Sequence, residues 1–140
     1  MKTRYTPLVS LKKNTMERSE RVAQKANIDL NNATSALERS YDSLKDIDSP
    51  QSGTMAEFLA SRTLLSSARN LIQHNHDWVN FTKKQVNEAK EQLKLDMIEH
   101  EKFKYLELDE IKKIIKNQKI KETKDLDEVA LMTYNRKGSM

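Results

Sequence analysis

Cysteine is absent from the 140 residues, which excludes disulfides and thiol catalysis and fits a reducing, cytoplasmic setting. Glycine and proline occur only twice each, so there are few places where the chain can turn sharply. Aromatic residues make up 6%, and the 36% that are hydrophobic are matched by 33% that are charged, too little apolar material for a thick globular core. No run approaches the roughly 20 apolar residues of a bilayer span, and the opening MKTRYTPLVSLKK lacks the continuous apolar centre of a secretion signal. Glycine-rich phosphate loops, nucleophile elbows and convergent carboxylate pairs are also missing, so the sequence offers no catalytic constellation and no cofactor site, and the reading is of a protein that is not an enzyme. His74, His76 and His100 are the only histidines. The first two project about 200° apart on a helix, and all three read as helix-surface residues rather than metal ligands.

What the chain does contain is charge of both signs interspersed among regularly spaced apolar residues, the mark of long solvated helices. Thr6-Pro7 suits a helix start, and no glycine or proline follows until Pro50. Val9, Met16, Ala23, Leu30, Leu37 and Leu44 recur every seven residues, with small Ser19, Ala26, Ala33 and Ser40 at the companion position. DSPQSGT at 48–54 is the one breaker cluster, and Thr54 with Glu57 forms a capping box for a second helix. Phe58, Leu65, Ile72, Val79, Val86 and Leu93 then repeat the pattern, opposite Ser61, Ala68, Asn75, Thr82 and Ala89. Met16 and Met55 read as fillers of these seams.

Large residues alternate with small ones in both helices, as an antiparallel pair requires if every layer is to be filled. The expected fold is all-α: a long two-helix antiparallel coiled-coil hairpin, helix one over about 7–47, turn 48–54, helix two over about 55–120, and a short C-terminal helical segment over 121–138. The single domain spans 1–138, with Ser139 and Met140 set aside as a cloning remnant. The predicted register puts Leu44 beside Ser61, Leu37 beside Ala68, Ala33 beside Ile72 and Ala26 beside Val79. In that register helix one runs out near His100. Beyond it Phe103, Leu108, Ile111, Ile114 and Ile115 cover a wide arc with nothing obvious to bury them, which points to a partner.

The same segment carries Lys112, Lys113, Lys116, Lys119, Lys121 and Lys124, with Glu122 the only acid between them. Three readings stand: a solvated face that keeps a long helix soluble, a docking surface for an acidic protein, or a nucleic-acid contact. Aromatic residues for base stacking are absent from the run, and the net charge of +4 is modest, so nucleic acid is set aside. Farther on, Asp125 and Glu128 resemble a capping box, Leu126, Val129 and Ala130 share a helical face, and Arg136, Lys137 and Gly138 suit a helix end.

Lys124, Asp127, Glu128, Ala130, Arg136 and Lys137 follow a KxxDExAxxxxxRK pattern that resembles the C-terminus of the FliJ family of the flagellar type III export apparatus. Chain length, an antiparallel two-helix hairpin and a longer second helix are similar to that family as well. The resemblance implies a non-enzymatic stalk or export chaperone in the cytoplasm, at the membrane-associated export apparatus and bound to the membrane only through partners. It implies docking in the ring of the export ATPase, promotion of ring assembly, and contact with the export gate protein and with other export chaperones, in the service of flagellum biogenesis and motility. The ATPase-binding residues would be Phe103, Leu108, Ile111, Ile114 and Ile115 together with the motif residues. A general cytosolic coiled-coil chaperone and a self-associating structural coiled coil are the alternatives. A chaperone of prefoldin type needs β-hairpins between its helices, for which DSPQSGT leaves no room.

Overall fold

The computed structural model describes residues 2–47 and 50–138, for 137 and 138 the backbone alone. Two helices account for the regular structure among the described residues, α1 over Thr6–Lys45 and α2 over Met55–Gly138. α1 begins one residue earlier than Thr6 as a cap implies: the Tyr5 carbonyl already accepts from the Val9 amide at 2.8 Å. The Thr6 hydroxyl instead accepts from the Thr3 amide at 2.9 Å, and Thr3 Oγ1 accepts from the Tyr5 amide at 3.1 Å, so the two threonines together fix the chain as it enters the helix. Pro7 still sits where its missing N–H costs nothing.

The second start shows the Thr54 half of the expected capping box. Thr54 Oγ1 accepts from the Glu57 amide at 3.3 Å, and the Thr54 carbonyl accepts from Phe58 at 3.2 Å. Gly53 precedes it at φ 147°, a conformation that side chains with a Cβ rarely adopt, and a Cβ there would meet the Glu57 carboxylate. Asp48 and Ser49, expected in the turn, lie outside the described residues, as do Ser139 and Met140.

The expected C-terminal helical segment is not a separate element. α2 runs without a break from Met55 to Gly138, so Asp125 and Glu128 sit in mid-helix. Residues 112–137 contain neither glycine nor proline, and lysine, glutamate, leucine and alanine favour continuation, so the capping pattern has no chain reversal to act on.

The chain divides into two compact units. In the unit Met16–Asp96, the core is a thin seam: Ala23, Ala26, Val86 and Ala89, with Leu30 and Leu93 packed against them, then Ala33 and Val79, also buried. Alanines from both helices let the backbones approach, and Leu30 from α1 with Val86 and Leu93 from α2 fill the layers. Buried Thr82 donates to its own helix at the Trp78 and Val79 carbonyls, both at 3.0 Å. Buried Asn75 donates to Ser40 Oγ and to the Ala36 carbonyl at 3.4 Å, and Ser19 Oγ donates to Asp96.

These contacts correct the predicted register by one heptad. Ala26 shares its cluster with Val86 rather than Val79, and Ser40 meets Asn75. A seven-residue repeat is unchanged by a slide of seven, so the apolar pattern cannot choose between the two. The seam asparagine can, because buried amides need partners, and this register supplies them from Ser40 and Ala36. The slide also carries the start of α2 past the end of α1. Phe58, expected on the seam, is 42% exposed, and Met55, expected as a filler, is 74% exposed.

In the unit Met1–Thr15 with Met97–Met140, the helices again run antiparallel. The Thr6 hydroxyl donates to Glu107 Oε1 at 3.1 Å, Arg4 pairs with Glu110 at 3.8 Å, and Lys12 pairs with Glu99 at 3.8 Å. His100 is buried here, at 8% exposure, and not on the surface as expected. It continues the Leu93 heptad position, so the seam carries it inward together with Glu107.

Candidate partner-docking face

The one-heptad slide decides where α2 loses its cover. With Thr6 on Glu107 and Arg4 on Glu110, α1 reaches about ten residues farther along α2 than His100, where the predicted register ended it. Phe103 is therefore half-buried, with the Lys12 ammonium 5.6 Å above its ring, and Ile111 and Ile114 are half-buried as well. From Ile115 to Arg136 every side chain is exposed. At about 1.5 Å per residue this stretch presents roughly 30 Å of helix.

Its residues are not scattered evenly around the axis. At about 100° per residue, Leu108, Ile111, Ile115, Leu126 and Val129 fall within an arc of about 60°. Leu108 is 57% exposed, Leu126 70% and Val129 58%. Gln118 and Glu122 occupy the same line between the two apolar groups, while Lys112, Lys113, Lys116, Lys119, Lys121 and Lys124 take the rest of the circumference. Lys112, Lys116, Lys119 and Lys124 border a shallow groove floored by Ile115, Ile120 and Thr123. The long methylene stems of lysine suit such a place, covering apolar surface while the ammonium stays in water. Lys113 pairs with Asp109 at 3.2 Å along the same helix.

Of the residues expected to bind a partner, then, Leu108, Ile111 and Ile115 share one line. Phe103 faces α1, and Ile114 stands at the edge. Lys124, Asp127 and Glu128 lie on the opposite side of α2 from that line, Ala130 on its flank, and Arg136 back near the line in a second shallow groove with Val129, Met132, Thr133 and Asn135. The side chain of Lys137 is outside the described residues. Leu126, Val129 and Ala130 share a face on the sequence pattern alone, but only the unbroken course of α2 aligns Leu126 and Val129 with Ile111 and Ile115. A second exposed apolar feature gave no signal: Trp78 and Phe81 border a shallow groove with His74, Asn75 and Asp77, at heptad positions beside the seam. Among the described residues no cluster of three or more His, Asp or Glu side chains is placed to hold a metal ion, and no helix is long and apolar enough to cross a membrane.

Comparison with curated proteins and with solved structures returned no match. The model of one protein family, described as flagellar FliJ protein, matches residues 1–139. That match takes in both helices and the C-terminal pattern from Lys124 to Lys137, and covers almost the whole sequence: the chain belongs to the FliJ family.

Proposed function

We propose that the role in the flagellar export apparatus that family membership gives is exercised as a non-enzymatic stalk, whose C-terminal part of α2 docks in the ring of the export ATPase, promotes ring assembly and links the ring to the export gate. The observation that carries this reading is the line Leu108, Ile111, Ile115, Leu126 and Val129, set in a surround of lysines and lying, from Ile115 onward, on a stretch of α2 whose described side chains are all exposed. A lone helix end with an apolar line gains stability by entering a cavity, and the lysines favour an acidic one. Apolar burial supplies most of the affinity, at roughly 1.5–3 kcal/mol per fully buried large side chain, and the lysines raise the association rate and make it salt-sensitive.

The test compares Leu126→Asp with Val129→Asp on the line and Glu91→Lys on exposed surface elsewhere on α2, reading ATPase stimulation and co-sedimentation with the ATPase. Each line variant is expected to weaken binding by about tenfold or more, and Glu91→Lys to leave it unchanged. Full binding and stimulation by both line variants, at unchanged helicity, would refute the docking.

A further inference from the structure

The start of α1 is held to α2 in a different way from the rest. In the unit Met1–Thr15 with Met97–Met140, the only buried described residue is a polar one, His100. The contacts from α1 are groups for which water competes: the Thr6 hydroxyl on Glu107, the Arg4–Glu110 pair with Arg4 72% exposed, and Lys12 shared between Glu99 and the Phe103 ring. Exposed ion pairs contribute little to stability, and less as salt rises. Leu8 and Leu11, the long aliphatic side chains here, are exposed, and Val9 stands over a shallow groove with Lys13, His100, Lys104, Leu108 and Ile111 rather than in a packed layer.

What this weakly held stretch covers is apolar. Phe103 and Ile111 are half-buried beneath it, and Ile111 belongs to the line that continues through Ile115 to Val129. We infer that residues 6–15 of α1 form a releasable strap, which opens from α2 as a local unit and uncovers Phe103, His100 and Ile111, extending the open apolar line toward the N-terminal side of α2. Segments with few buried apolar contacts are those that open below the global unfolding free energy. A partner that engages Phe103 binds the open form alone and draws the equilibrium toward it, whatever that partner is.

Hydrogen exchange read by mass spectrometry on the full chain tests the strap. Amides of residues 10–15 are expected to exchange about tenfold or more faster than those of 22–36, and faster again in high salt, which screens the Arg4 and Lys12 pairs. His100→Leu makes the decisive comparison because the change is on α2: an apolar seam there should slow exchange in residues 10–15 several-fold, whereas ordinary fraying of a helix end would not respond. A second variant does not depend on His100. Lys12→Glu places like charges at Glu99, and should speed both exchange in residues 10–15 and maleimide labelling of an Ile111→Cys thiol, unique in a chain without cysteine. Exchange in residues 10–15 as slow as in 22–36, or rates indifferent to both variants, would overturn the inference.

Discussion

Removing Ser40 and Asn75 singly and together measures whether the register rests on the polar layer they form. Ser40→Ala leaves the Asn75 amide, 7% exposed, with only the Ala36 carbonyl at 3.4 Å, and a buried amide short of partners costs about 1–3 kcal/mol. Asn75→Ala costs less by that route, because Ser40 Oγ still donates to the Ala36 carbonyl at 2.8 Å. Its loss is one hydrogen bond and some packing, about 1 kcal/mol or somewhat more. The double mutant should be more stable than the sum of the two losses implies, by about 0.5–1.5 kcal/mol, since the contact can be lost only once. Urea denaturation followed by far-ultraviolet circular dichroism gives all four stabilities. Additivity within about 0.3 kcal/mol would mean that the two side chains do not meet, and the register described above would be refuted. An apolar replacement of the pair, Ser40→Ala with Asn75→Leu, is expected to match or exceed the wild-type stability, because it removes both polar partners at once.

Ala33 is fully buried at 0% exposure, and Ala33→Leu is expected to destabilise by about 1–3 kcal/mol through overpacking; an unchanged melting curve would show room in the seam that the structure does not. At Gly53, φ 147° is unfavourable for any residue with a Cβ, so Gly53→Ala should cost about 1 kcal/mol or more, and a gain in stability would contradict the backbone geometry. Thr54→Ala should lose about 1 kcal/mol with the cap on Glu57, seen as a lower urea midpoint at an unchanged slope. A seam whose buried apolar residues are alanine and valine supplies little burial against the conformational entropy of long helices, so the dilute protein should melt well below about 90 °C; survival above that would mean that further surface is buried, as in self-association.

The sequence by itself determined the helices and the faces they use. Ala23, Ala26, Ala33, Ser40, Val79, Thr82, Val86 and Ala89 are buried as their spacing required, because a side chain's angular position on a helix follows from residue count alone. It also determined the breaker at 48–54, the cap at Thr54, and the apolar residues of the far end of α2. Tertiary contacts decided what a periodic pattern leaves degenerate. A slide of seven residues keeps every large residue against a small one, so only the particular partners of Asn75, Ser19 and Thr6 select the register. That selection moved the end of α1 from His100 to Glu110, buried His100, covered Phe103 and exposed Phe58. The continuity of α2 was the second such matter: a capping box is a local preference worth about 1 kcal/mol, and with no turn residue before it the helix simply continues. By running on, α2 brings Leu126 and Val129 into line with Ile111 and Ile115, because only an unbroken helix keeps a fixed angle between residues so far apart in the chain.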